Sequence, residues 1–271
     1  MGDRMAAGVI RAGIGGWTFA PWRGVFYPHG LRQADELAFA SRNLTAIEIN
    51  ATYHSLQSAA SFAKWAAQTP EDFIFTVKAS RYCTNRRVLA EAGPAIETFM
   101  AQGLAELGAR LGPILWQFMP TKKFDPDDFA AFLALLPARL GHLPLRHCVE
   151  VRHESFADPR FVALCREHGV AICCSENEAY PLIADVTADF VYARLLRGSD
   201  EIETAYPADQ LDQWARRFEA WAGGAAPDDL PLVEAEASPA GAGREVFAFF
   251  IHAGKVRAPA AAMALLERVR A

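Results

Sequence analysis

The chain has 271 residues, 52% of them hydrophobic and 22% charged, and a formal net charge of −5. That balance gives ample length for one large core and excludes the strongly basic surface expected of a tight nucleic-acid binder. No apolar run is long enough to span a bilayer and no apolar segment precedes Val9. The five cysteines, Cys83, Cys148, Cys165, Cys173 and Cys174, show no CxxC spacing, and free thiols without an export signal point to the cytoplasm.

Residues 1–8 read as a short lead, and 9–271 as a single domain. Val9 to Trp17 reads as a first strand ending in glycines, followed by a loop carrying Trp22-Arg23-Gly24. Asp35 to Asn43 has helical character. Ala46 to Asn50 alternates Ile47 and Ile49 with Glu48 and Asn50, the period of a strand, and a turn-like segment follows. Ser61 to Gln68 reads as a helix, with Ser58 or Ser61 available as its cap. Asp72 to Ala79 is a third strand, Pro94 to Ala109 a helix, and Leu111 to Met119 a fourth strand stopped by Pro120. A helix opens at Asp125-Pro126 and runs to about Arg139, with proline in its first turn. Leu145 to His153 alternates again, a helix spans about Pro159 to His168, and Val170 to Ser175 is a short strand. Asp189 to Leu196 is a seventh strand and Pro207 to Ala222 a helix. Residues 223–243, rich in Gly, Ala, Pro and acid, read as a flexible insertion. Glu245 to His252 is the last strand and Ala258 to Arg270 the closing helix.

Eight strands alternating with helices predict a (β/α)8 TIM-type barrel, with a doubly wound open sheet as the runner-up. The connection between the sixth and seventh strands, 176–189, shows little helical pattern, so its helix is short or missing. In a barrel the apolar parity of each strand lies under the helices and the polar parity points inward. Toward the C-terminal strand ends that polar parity gives Trp17, Glu48, Asn50, Lys78, Gln117, Glu150, Arg152, Arg194 and His252, at the end where barrel enzymes carry their sites.

The segments GIGGWTFAPWRGVFYP (13–28), EINATYH (48–54), FTVKA (75–79), GPILWQFMP (112–120), VEVRHESF (149–156) and DFVYARLL (189–196) occur in that order. Together they resemble the YecE-like family, the domain-of-unknown-function family numbered 72, over nearly the whole chain. The resemblance implies a TIM-type barrel and carries no established activity. Gly16-Trp17, Trp22-Arg23-Gly24, Glu48, Asn50, Tyr53, Lys78, Gln117, Glu150 and Arg152-His153 match its motif positions. The chain departs from it at Phe250-Ile251-His252-Ala253-Gly254-Lys255, where Tyr-Phe-Asn-Asn or similar is usual. It departs again at Cys173-Cys174-Ser175-Glu176, where an Ala-Asp-Ser type ending is common.

Each candidate has two readings. Glu48 is a general acid/base, or a structural carboxylate neutralised by Lys78 or Arg152. Lys78 is a reactive amine or anion holder, or the partner of Glu48 or Glu150 in an ion pair. Glu150 and Arg152 form an acid/base and an anion clamp, or a salt-bridge cluster with Arg194. Asn50 and Gln117 orient a substrate, or close strand ends. Trp17, Trp22, Arg23 and Tyr53 wall or cover the mouth, or pack the first loop on the barrel rim. Three positive against two negative charges favour a small polar or anionic substrate, and nucleic acid is disfavoured by the net acidity. No cofactor is expected. A divalent metal on Glu48, Glu150 and His252 is a minor alternative, since no His-x-His or HExxH spacing supports it. The expected function is acid/base chemistry of hydrolase, isomerase or lyase type, with Glu48, Lys78 and Glu150 as catalytic residues. The alternative is a barrel that binds or senses a ligand without chemistry.

Overall fold

The computed structural model describes residues 8–234 and 243–269 and leaves the side chain of His252 undescribed. The lead before Gly8 and part of the expected insertion, 235–242, therefore lie outside the described residues. Among the described residues ten strands form: β1 (Ile10–Gly15), β2 (Ala46–Ile49), β3 (Ile74–Lys78), β4 (Leu111–Gln117), β5 (Arg139–Leu140), β6 (Leu143–Pro144), β7 (His147–Glu150), β8 (Ala171–Glu176), β9 (Phe190–Arg197) and β10 (Glu245–Ala253). β5 and β6 make a small antiparallel ribbon, and the other eight close a barrel in the order β1-β2-β3-β4-β7-β8-β9-β10. All eight neighbouring pairs are parallel. This is the (β/α)8 architecture, and the open-sheet alternative falls with the closure of β1 on β10.

Helices cover the outside: α1 (Glu36–Asn43), α2 (Ala51–His54), α3 (Ala59–Ala67), α4 (Arg81–Thr84), α5 (Gly93–Met100), α6 (Pro126–Ala134), α7 (Pro159–Glu167), α8 (Ala208–Ala222) and α9 (Ala258–Val269). No helix lies between β8 and β9 among the described residues, as the sequence pattern of 176–189 leads one to expect. Caps explain several starts. Ser58 accepts from the Ser61 amide, and Asp125 accepts from the Asp127 and Asp128 amides with Pro126 beside it.

Two helices are shorter than their patterns. The segment 94–109 splits into α5 and a 3-10 stretch, Leu104–Arg110, at Gly103 with φ 109°. A Cβ on Gly103 would lie 2.5 Å from the Ala59 Cα, so that approach and that backbone both require glycine. α6 ends at Ala134 because Pro137 disfavours helical backbone just before it, and the chain turns into β5 instead.

Because both faces of the parallel strands are covered, β2, β3 and β7 are buried throughout. Ile47, Ile49, Phe75, Val77, Val149 and Val151 belong to the large core between strands and helices. Each such side chain contributes roughly 1.5–3 kcal/mol through burial. Ile74, Leu115, Cys148, Cys173, Phe190, Tyr192, Phe247 and Phe249 fill the barrel's lower interior. All five cysteines are free and buried. In the described part of 223–243, Leu230 is buried and Asp229 pairs with Arg217 at 2.9 Å, and just beyond it the Asp185 carboxylate accepts from the Val233 and Glu234 amides. Among the described residues no helix is long and apolar enough to cross a membrane.

Candidate functional site

Strand parity places Glu48, Thr76, Lys78, Gln117, Glu150, Tyr192 and Arg194 on the inner face, within the apolar filling or toward the C-terminal strand ends from it. Gln117 stands opposite Glu150 in register, and Glu48 opposite Thr76. Charged groups brought this close in a dry interior must compensate one another.

They do so around Arg194, which is fully enclosed. Its Nη1 donates to Glu150 Oε2 at 2.5 Å and to Gln117 Oε1 at 3.4 Å, and its Nη2 donates to Glu48 Oε1 at 3.1 Å. The other Glu48 oxygen accepts from the Tyr192 hydroxyl at 2.7 Å, which in turn meets Thr76 Oγ1 at 2.9 Å. Arg152 donates from Nε and Nη2 to Glu150 Oε1 and from Nη2 to Gln117. Burial alone would raise the Glu150 carboxyl, but Arg194, Arg152 and Lys78 outweigh it and hold it below the usual carboxylate range. Burial, joined by the Glu48 charge, pushes the Tyr192 phenol well up, so this hydroxyl stays a donor.

Lys78 is the exception. It is 9% exposed, and among the described residues its ammonium forms no ion pair and no hydrogen bond. It lies 4.3 Å from the Tyr53 ring centroid instead. Burial, with Arg194 next, lowers its pKa from 10.5 to about 8, against the opposing pull of Glu48 and Glu150.

Above this layer opens a cavity of about 520 Å³ whose lining includes Asn50, Lys78, Gln117, Arg152, Arg194 and Lys255. Four cations thus face the space. Glu48 and Glu150 lie beneath it with their oxygens engaged, and neither is among its lining residues. Arg152 keeps its Nη1 without a partner among the described residues, and its guanidinium stands 4.7 Å from the Tyr180 ring centroid. The Arg194 Nε is buried without a partner. Such a surface can hold a carboxylate or phosphate through the Arg152 Nη1 and the surrounding positive charge, and exchange a proton through the lysine.

Several expected residues sit elsewhere. Trp17 turns away, because β1 ends at Gly15 and Gly16 has φ 75°, which breaks the strand parity. Its ring packs edge-on against Trp65 and Phe75 under the helices. Arg23 reaches the buried Glu36 at 2.7 Å and does not line the cavity. Trp22 is 1% exposed and donates to the Lys255 carbonyl at 2.8 Å, so it is a fixed wall of the cavity rather than a moving cover. Tyr53 lies under Lys78, and its hydroxyl receives Asn85 Nδ2 at 3.5 Å. His252 lies in β10 just past a register shift, with its side chain outside the described residues. Among the described residues no three His, Cys, Asp or Glu side chains form a metal-holding group. Thr76 and Tyr192 share the parity of Lys78 and Arg194 and were readable from it. Asn177 and Tyr180 come from the aperiodic loop after β8, which offers no such signal.

None of the curated proteins matches the chain. Among solved structures, a DUF72 family protein from Thermotoga maritima shares 23% identity over 95% of this chain and 97% of its own, with a TM-score of 0.69. A DUF72 family protein from Enterococcus faecalis shares 17% identity over 97% of this chain and 96% of its own, with a TM-score of 0.66. At these identities the likeness speaks for the barrel. The family model described as "Protein of unknown function DUF72" matches residues 11–271, and the chain therefore belongs to the DUF72 family.

Proposed function

We propose that the mouth is the active site of an enzyme that takes a small anionic molecule and moves a proton at it with Lys78. The observation that carries this reading is a buried amine, without a carboxylate partner, opening onto a roomy cavity beside two arginines. A pKa of about 8 lies near working pH, where a group both accepts and returns a proton efficiently. Arg152 would bind the substrate's carboxylate or phosphate through its Nη1, Arg194 would add positive charge from the cavity floor, and Asn50 and Gln117 would orient it. Glu48 and Glu150 then serve as positioning residues that fix Arg194, rather than as the acid and base that strand parity alone suggests. Isomerase or lyase chemistry next to an anionic group fits this division of labour.

The full engagement of Glu48 and Glu150 favours one second reading, a barrel that binds an anion without turning it over. Thermal-shift screening against sugar phosphates and small carboxylic acids separates the two. The enzyme reading expects a ligand that stabilises the wild type but not Arg152→Met, and that is converted. It further expects conversion to fall by about 10²–10⁴ in Lys78→Met, the usual worth of a positioned acid/base. A ligand returned unchanged supports the second reading. No ligand dependent on Arg152 would overturn both.

A further inference from the structure

A second concavity, of about 500 Å³, lies on the rim between the loop after β3 and the loop after β4. Its lining includes Asn85, Arg86, Arg87, Met119, Lys122 and Lys123, and among the described residues no carboxylate lines it. Lys122 is compensated by Asp128 at 2.7 Å. Among the described residues the Arg86 guanidinium donates only to the backbone carbonyls of Tyr82 and Glu91 and has no carboxylate partner. Arg87 and Lys123 are exposed, and among the described residues their side chains have no partner.

A run of surface cations is ordinarily a solvated face. Two things set this one apart. It is concave, so like charges focus one potential into the groove on a chain that is net acidic. It also adjoins the mouth, because β3 and β4 supply Lys78 and Gln117 to the mouth and then, within a few residues, the two groove walls. A line of contacts joins them: Lys78 over the Tyr53 ring, and the Tyr53 hydroxyl to Asn85 at the groove's edge.

We propose that the groove is a second anion subsite of the same binding site, and that the ligand of the mouth carries a remote phosphate that Arg86, Arg87 and Lys123 receive. This rests on the reading of the mouth as an anion site. Two anions on one tether gain from the effective concentration of the second binding event, by up to about 10²–10⁴ when the tether matches the span.

The test uses the full chain and a series of linear α,ω-alkane bisphosphonates, with methylphosphonate as the single-anion reference, measured by calorimetry at low and moderate salt. One tether length should bind at least tenfold more tightly than methylphosphonate. The gain should vanish in Arg87→Glu/Lys123→Glu, and also in the milder Arg87→Gln/Lys123→Gln, both exposed sites where folding is not at stake. Methylphosphonate itself should still bind these variants at the mouth and lose affinity in Arg152→Met. If the groove variants keep the full gain, or no tether exceeds methylphosphonate, the subsite is overturned while the mouth reading stands. If methylphosphonate binding is indifferent to Arg152→Met, the mouth reading fails instead, and the spanning ligand with it.

Discussion

Arg194 donates to Glu150 across 2.5 Å with neither side chain more than 3% exposed, and the same guanidinium holds Glu48 from its other side. One cation therefore bridges two buried carboxylates inside the barrel and forms part of the floor of the cavity above them. An ion network of this kind is a weak source of stability as a whole but a costly thing to break.

Arg194→Met should accordingly destabilise the protein by about 3–5 kcal/mol in urea unfolding at pH 7, since it takes the cation from buried Glu48 and leaves buried Glu150 with Arg152 alone. Losing Arg194 lets the Glu150 carboxyl rise from its lowered wild-type position, so the variant loses less than the wild type on acidification and the deficit should narrow as pH falls. Adding Glu48→Gln and Glu150→Gln should recover much of the loss. An unfolding midpoint unmoved by Arg194→Met would mean that the network is not closed as described.

Lys78→Met should have the opposite effect. The folded amine, at about 8, titrates below its unfolded value of 10.5, so the unfolded chain binds more protons between those limits and the wild type gains stability as pH rises through them. Below pH 8 the wild type carries the whole cost of burying the charge. Removing that charge should add about 1–3 kcal/mol at pH 7, with the advantage shrinking toward pH 10.5. A variant less stable than wild type at pH 7 would show that Lys78 is well compensated.

These opposite signs also mark what the sequence could and could not say. Period-2 alternation in EINATYH, FTVKA, VEVRH and DFVYARLL is enough to bring Glu48, Lys78, Glu150, Arg152 and Arg194 to one end of one barrel, because a closed parallel sheet leaves the polar parity nowhere else to go. Alternation does not say which cation pairs with which carboxylate. That depends on side-chain reach across the barrel, from β9 to β2 and to β7, and it makes Arg194 rather than Lys78 the partner of both glutamates. Parity also fails where strands stop. A single left-handed glycine sent Trp17 outward, and the aperiodic loop that supplies Tyr180 and Asn177 carries no signal at all.

His147 gives a second pH dependence, away from the mouth. Trp116 Nε1 donates to its Nδ1 at 3.1 Å, so the ring's other nitrogen carries the proton toward the Pro137 carbonyl at 2.8 Å. Burial lowers the His147 pKa, partly opposed by that carbonyl. With the folded value below the unfolded 6.5, stability is full above that pH and falls as the solution is acidified toward the folded value. His147→Gln should flatten the slope of unfolding free energy as pH falls below about 6.5. An unaltered slope would place the acid sensitivity elsewhere.

Gly103→Ala should cost about 2 kcal/mol or more, since it forces both a left-handed alanine and a clash with α3. Ala59→Gly in the same chain should return little of the loss in Tm, because the Ala59 Cα at 2.5 Å and N at 2.9 Å remain in the way. A single variant that unfolds like wild type would contradict the tight approach of these two backbones.

The central claim is that Lys78 is an uncompensated amine waiting for an anion, and the titration of its own side chain tests that most directly. Lysine labelled at Cε, assigned through Lys78→Met, should show one residue titrating near 8 in the free protein and shifting upward when inorganic phosphate is added, as the new negative charge stabilises the ammonium. A Lys78 that titrates at 10.5 and ignores phosphate would contradict the account.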